Sequence, residues 1–160
     1  MTVLRIGIGY DSHRFVEGRP LILAGQRIPH PEGLAGHSDA DAVAHAIIDA
    51  LLGAAALGDI GTLFPDTDPA WRDADSMRLL DLARARLAAE GFRPVQVDVT
   101  IILEHPKLGP HKSAMADAIR SVLGLPAGRV SLKAKTNEGM GFIGRGEGVA
   151  VMAVATVESS

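Results

Sequence analysis

Residues 37–58 read HSDADAVAHAIIDALLGAAALG, and their spacing predicts a helix with a polar stripe on an otherwise buried body. Ile47, Ile48, Leu51 and Leu52 fall on one side of a 3.6-residue period, while Asp41, His45 and Asp49 recur every four residues on another. Ser38 is the expected N-cap, with Asp41 at the third helical position completing a capping box near the positive end of the helix dipole, and Gly58 marks the end. Capping accounts for Ser38 and Asp41, and the dipole for Asp39. His37 and His45 are left unexplained. His37, just before the cap, sits where backbone N–H groups gather and an oxyanion can be held.

Upstream, Leu4 to His13 alternates as a strand, with Leu4, Ile6, Ile8 and Tyr10 on one face and Gly7, Gly9, Asp11 and His13 on the other. Asp11 and His13 therefore point the same way. A second strand fits Pro20 to Ile28, closed by the turn chemistry of Pro29, Pro31 and Gly33. Downstream, Asp59 to Asp75 is dense in Asp, Pro and Gly without a usable period, so an ordered turn followed by a mobile, lid-sized loop is expected. A helix from a Ser76 cap to Gly91 buries Met77, Leu80, Ala83 and Leu87, and Val95 to Leu103 alternates as a strand. Pro110 opens a further helix burying Met115, Ala118, Ile119 and Val122 and ending at Gly124. Val130 to Thr136 is a strand. After a glycine-rich segment, Val149 to Val157 is apolar on both faces, as in a fully buried strand or one at a subunit contact. This order predicts one α+β domain over residues 1–160, a mixed sheet packed against helices.

Composition narrows the function. A net charge of -3 leaves no basic field to condense on DNA or RNA, so no nucleic-acid partner is expected. The sequence has no cysteine, so any metal must take imidazole or carboxylate ligands. Aromatics are only 4% against 47% hydrophobic residues, which calls for close packing of small side chains. The N-terminus lacks the pattern of an export signal, and the apolar stretch from Ala42 to Leu57 is interrupted by His45 and Asp49. A cytoplasmic protein with no membrane partner is the expectation.

Asp11 and His13 on a strand, with His45 on a helix, can fill three corners of a tetrahedron and leave the fourth open, the pattern of a catalytic zinc. From spacing alone, the same residues also fit a solvated strand end and a hydrogen-bonded helix histidine. Gly139 to Gly148 can offer backbone N–H groups to phosphate, with Arg145 adding a fork of donors, or can serve as a hairpin connection. It lacks the Gly-Lys-Ser/Thr ending of a nucleotide P-loop. Glu138 is a hard oxygen ligand suited to magnesium, or simply a solvated acid. His105-Pro106-Lys107 suits main-chain reading of a nucleotide edge, or an ordinary turn.

Taken in order, GYDSHRF (9–15), HSDADAVAHAIIDALLGAAALGDIGTLFPDTDP (37–69), HPKLGPH (105–111) and KTNEGMGFIGRGEG (135–148) resemble the 2-C-methyl-D-erythritol 2,4-cyclodiphosphate synthases. The resemblance implies a monofunctional homotrimer with active sites between neighbouring subunits. It implies one zinc per subunit on Asp11, His13 and His45, and magnesium or manganese with the substrate diphosphate at Glu138. His37 and Thr136 match residues that steady the transition state, and Ser38 one that touches the phosphates. Asp59, Ile60 and Gly61 would hold the methylerythritol portion, and Phe64, Pro65, Asp66, Thr67 and Asp68 would form a flexible cover. Leu103, Glu104, His105, Pro106, Lys107, Leu108 and Gly109, with Lys135, Thr136 and Asn137, would form the cytidine pocket. Phe142 and Arg145 also match binding positions. Tyr10, Arg145 and Glu147 resemble residues lining a central channel that holds an isoprenoid diphosphate.

The implied reaction is closure of a cyclic diphosphate with loss of CMP, a phosphorus–oxygen lyase step of the non-mevalonate isoprenoid pathway. Two other readings use the same residues. A metal-dependent phosphodiesterase or phosphatase would activate water at the Asp/His/His cluster, and a non-catalytic trimer would bind isoprenoid diphosphates through Arg145 without zinc.

Overall fold

The computed structural model describes residues 1–159. Strand β1 (Leu4–Glu17) continues four residues beyond the expected end and is the long member of the sheet. A hairpin follows, β2 (Leu21–Leu23) and β3 (Gln26–Ile28), then a short β4 (Glu32–Leu34). Helix α1 (Ala42–Ala55) and a one-turn α2 (Ile60–Leu63) precede α3 (Ser76–Ala89). Strand β5 (Phe92–Ile102), α4 (Lys112–Leu123), β6 (Val130–Lys135), a one-turn α5 (Gly141–Gly144) and β7 (Gly148–Ser159) complete the chain. The main sheet runs β4-β1-β7-β5-β6, antiparallel except for the parallel β5–β6 pair, and β2–β3 stands apart as a two-stranded sheet. It is the expected α+β architecture, with the helices on one face.

Small residues set the layer spacing. Gly7 and Gly9 of β1 are registered opposite Ala155 and Ala153 of β7, and all four face α1. A Cβ on Gly7 would lie 2.0 Å from the Ala50 carbonyl oxygen, and one on Gly9 1.9 Å from that of Ala46. Strand and helix backbones are therefore nearly in contact, and the glycines are required for it. Ile47, Ile48, Leu51 and Leu52 are fully buried, as their period predicted. The opposite sheet face carries exposed Ile6, Ile8, Tyr10, Met152 and Val154, so β7 is buried on both faces only at its start, through Val151, and on one face at Met152 to Val154.

Three local expectations are corrected. The N-cap of α1 is Asp41, not Ser38: Ala40 takes a left-handed φ of 59°, which ends any helix running through it, and Asp41 Oδ1 accepts the Ala44 N–H. Helix α3 is likewise capped by Asp75, leaving Ser76 as its first, fully buried residue. The expected single strand from Pro20 to Ile28 is a hairpin, because Ala24 and Gly25 both have positive φ (50° and 72°) and form its two-residue turn. Of the residues expected in the α4 core, Met115 and Ile119 are buried while Ala118 and Val122 are half-buried.

The Asp-rich segment is not structureless. Asp59 caps α2 and Asp68 caps a 3-10 turn at Pro69–Trp71 before Asp75 caps α3, so three of its five acids are spent on helix starts. The glycine-rich segment before β7 folds α5 rather than a plain hairpin connection.

Candidate functional site

The register of β1 places Asp11 and His13 opposite Val151 and Val149, on the helix-facing side, two residues from the glycine contact with α1. Because α1 lies so close, His45, its fourth residue, reaches the same point. Asp11 Oδ2 lies 2.8 Å from His13 Nε2 and 3.1 Å from His45 Nδ1, and the two imidazole nitrogens are 3.3 Å apart. The edge of a tetrahedron with metal–ligand bonds of about 2.0–2.1 Å is about 3.3–3.4 Å. The triangle is already close to that size.

The surrounding hydrogen bonds say which atoms are bare. His13 Nδ1 is 2.7 Å from the Ala35 carbonyl oxygen, an acceptor only, so Nδ1 carries the proton and Nε2 the lone pair. On the far side of His45, Nε2 meets Ser76 Oγ at 2.8 Å, and Ser76 Oγ donates to Asp39 Oδ1 at 2.5 Å. Nε2 of His45 is then the donor and Nδ1 is bare. In these neutral tautomers two lone pairs and a carboxylate converge with no donor among them, so the cluster calls for a metal cation or, without one, a proton on a ring nitrogen that then donates to Asp11. The titration behaviour has the same origin. Burial would push Asp11 up, but its hydrogen bonds with His13 and His45 outweigh it and hold the carboxyl below its usual range. Burial would lower His13, but its bond to Asp11 prevails and raises it.

This cluster forms one wall of a cavity of about 470 Å³ lined also by Gly36, His37, Ser38, Ile60, Gly61, Phe64, Pro65, Asp66, Trp71 and Leu79. His37 is half-buried, with Nε2 3.3 Å from the Asp68 carbonyl oxygen, so its ring braces the covering segment. Phe64 stacks edge-on against Trp71 at 5.0 Å. Asp49, one turn beyond His45, accepts the Ile60 N–H at 2.7 Å and fixes the start of α2. Burial is the main cause that raises Asp49, against the pull of that N–H. Thr67 and Asp68 lie outside the cavity lining, and Asp59 turns its carboxylate to the N–H and hydroxyl of Thr62. Ser38 Oγ also points inward, 3.1 Å from His45 Nε2 and 3.3 Å from Ser76 Oγ.

The residues expected to bind cytidine gather elsewhere. Leu103, Glu104, Pro106, Lys107, Leu108, Lys135 and Thr136 line a recess of about 70 Å³. His105 and Gly109 do not line it, and the Glu104 carboxylate accepts the N–H groups of Asn137 (2.8 Å) and Gly139 (3.4 Å). Glu138 follows Thr136 on an exposed turn at φ 52°. Among the described residues none lines both this recess and the Asp11 cavity, so His37 and Thr136 are not brought together within one chain. Phe142 lines a third cavity of about 250 Å³ with His13 and Glu147, and the Arg145 guanidinium is paired with Glu147 at 2.8 Å.

Sequence reasoning did not find Trp71, Leu79 or Arg19. The Arg19 guanidinium donates to the carbonyls of Gly36 (2.9 Å) and Ser38 (2.6 Å) and so holds the His37 loop from outside. Nothing in the local pattern around Arg19 signals that.

The YgbB family model matches residues 4–158. This chain belongs to the YgbB family. Among its YgbB-family relatives, a 2-C-methyl-D-erythritol 2,4-cyclodiphosphate synthase of Salinibacter ruber is 57% identical over 157 residues, covering 98% of this chain and 100% of the relative. The protein of the same name from Symbiobacterium thermophilum is 59% identical over 152 residues, covering 95% and 97%. A solved structure of a 2C-methyl-D-erythritol-2,4-cyclodiphosphate synthase in a CDP-bound form is 47% identical, covers 94% of this chain and 98% of that one, and has a TM-score of 0.87. The bifunctional IspDF of Campylobacter jejuni is 43% identical with a TM-score of 0.96, covering 100% of this chain and 43% of that longer one.

Proposed function

We propose that this chain, as one cyclodiphosphate synthase domain over residues 1–160, converts 4-diphosphocytidyl-2-C-methyl-D-erythritol 2-phosphate to 2-C-methyl-D-erythritol 2,4-cyclodiphosphate and CMP. This is a phosphorus–oxygen lyase reaction of the non-mevalonate isoprenoid pathway, carried out in the cytoplasm. The observation that carries the reading is the convergence of the bare donor atoms of Asp11, His13 and His45 on a covered cavity, in a chain nearly 60% identical to synthases of that name.

In this reaction the substrate's own 2-phosphate oxygen bonds to the β-phosphorus, and the bridging oxygen leaves on CMP with the electron pair. Asp11, His13 and His45 would hold zinc, and Glu138 magnesium or manganese. Bound there, the ions supply Lewis acidity to phosphate oxygens. Both reacting groups are anions, so the chain's task is orientation and charge compensation rather than strong base catalysis. His37 lies on the cavity wall with Nε2 on the Asp68 carbonyl; it would donate to a phosphate oxygen by exchanging that partner, and Thr136 is assigned the same part from the other recess. The Ile60–Gly61 backbone and the Phe64–Asp68 cover exclude the water that would otherwise give linear products. Leu103–Gly109 with Lys135, Thr136 and Asn137 would seat cytidine; that a relative has a CDP-bound form supports a cytidine nucleotide as the ligand.

Separation of the two recesses supports a site completed by a second subunit, and the exposed face of Ile6, Ile8, Tyr10, Met152 and Val154 supports its burial in a homotrimer. Tyr10, Arg145 and Glu147 would then border the central channel, with an isoprenoid diphosphate as its ligand. Light scattering should give about three times the 16.7 kDa of one chain.

The test is phosphorus NMR of the product formed from the cytidylylated substrate with zinc and magnesium. Two mutually coupled ring phosphorus atoms with one CMP per turnover are expected. Linear phosphate products would instead indicate a phosphodiesterase or phosphatase, and no turnover a binding protein.

A further inference from the structure

Asp39 and Ser76 each have a bland reading in the sequence, one as a dipole partner and the other as a cap. The structure gives both another part. Ser76 is fully buried as the first residue of α3, and its hydroxyl lies between His45 Nε2 (2.8 Å) and Asp39 Oδ1 (2.5 Å). Asp39 is held in turn: its Oδ1 accepts the Asp41 N–H at 3.0 Å and its Oδ2 the Ser76 N–H at 3.0 Å. Two backbone bonds tie this end of the cover to the His37 loop, from Asp73 N–H to the His37 carbonyl (2.9 Å) and from Asp39 N–H to the Ala74 carbonyl (3.1 Å).

The chain of bonds has one direction only. An ionised carboxylate accepts and cannot donate, so the Ser76 O–H points to Asp39, and the Ser76 oxygen is left to accept from His45 Nε2–H. We infer that Asp39 and Ser76 are positioning residues that lock His45 in its Nε2–H tautomer and so keep the Nδ1 lone pair directed at Asp11 and His13. His13 needs no such device, because the Ala35 backbone carbonyl fixes its tautomer. The two imidazoles thus differ: one is set by the main chain, the other by a side-chain relay from α3. Ser38 Oγ, at 3.1 Å, is a second acceptor for the same N–H and backs up Ser76. The relay rests on the cation-binding reading of the cluster, since its product is a bare nitrogen facing two other donor atoms.

The test compares the full-length chain with Ser76→Ala and with Ser38→Ala/Ser76→Ala, using zinc alone as probe. Competition with a chelating dye should show zinc affinity weakened about 10-fold in the single variant and toward 100-fold in the double, the range for loss of an outer partner of a metal ligand. Long-range nitrogen–proton NMR of the metal-free chain above pH 8 should show His45 protonated at Nε2 in the unaltered protein and mixed between tautomers in the double variant. Ser76→Thr, which keeps the hydroxyl, should restore both readouts. Wild-type zinc affinity and an unmixed Nε2–H tautomer in the double variant would overturn the relay while leaving the zinc site standing. If the unaltered chain binds no zinc, the metal reading fails, and the tautomer spectrum alone still decides the relay.

Discussion

Adding one methyl group at Gly9 should disable the metal site without touching a ligand. The new Cβ would sit 1.9 Å from the Ala46 carbonyl oxygen and 2.9 Å from the Ala50 nitrogen, both backbone atoms of α1 that no rotamer change can move. A carbon–oxygen contact relaxes at about 3.3 Å, so strand and helix must separate by about 1.4 Å. Asp11 and His13 ride on the strand and His45 on the helix, one residue before the clash. Their 3.1 and 3.3 Å donor separations would open past the edge of a zinc tetrahedron. A misplacement of that size costs on the order of 100-fold at a preorganised site. Overpacking adds about 1–3 kcal/mol of lost stability. Chelator competition and urea unfolding of Gly9→Ala measure the two effects. Gly53→Ala is the control, because on the same helix its Cβ would meet only the Ile8 carbonyl oxygen at 3.9 Å. That variant should keep zinc and gain about 0.5–1 kcal/mol. Unchanged zinc affinity and stability in Gly9→Ala would refute the claim that the glycine contact sets the ligand geometry.

His45→Ala should abolish zinc retention and CMP release together; retention of either by that variant contradicts the ligand assignment. Burial pushes the fully buried Asp41 carboxyl up to about 6 from 3.8, against the N–H bonds it accepts. The folded state therefore holds this proton more tightly than the unfolded one, so the group costs stability that appears as pH rises from about 4 to 6 and is complete above it, about 3 kcal/mol. Urea midpoints of the metal-free chain across that window should lose this component in Asp41→Asn, and an identical slope in both proteins would count against it. If the bare sheet face is the subunit contact of the proposed trimer, Ile8→Asp should shift the sedimenting species toward single chains; a trimer unchanged by it would place the contact elsewhere.

Much of the site was legible because it depends on periodicity. The two-residue repeat of Leu4 to His13 put Asp11 and His13 on the glycine side, and the helical repeat put His45 on a polar stripe, which two elements packed at minimal distance bring together. The rest depends on contacts far apart in sequence. Asp41 shares the stripe with His45, yet its carboxylate is turned inward to the N–H groups of Ala24 and Gly25, so the helix cap also fastens the β2–β3 turn. An Ala–Gly pair gives a weaker turn signal than Asn–Gly, which is why that hairpin read as one strand. Ser38 and Ser76 looked like caps because the left-handed Ala40 and the acids Asp41 and Asp75 beside them are resolved only by backbone angles. Trp71 enters the cavity wall from a 3-10 turn with no apolar period to announce it.

Zinc K-edge absorption of the zinc-loaded chain tests the central claim most directly. The account predicts one zinc per chain with four nitrogen or oxygen neighbours at about 2.0–2.1 Å, multiple scattering from two imidazoles, and a phosphorus shell that appears when CDP is added. Absence of zinc, or a zinc signal with no imidazole scattering, would contradict it.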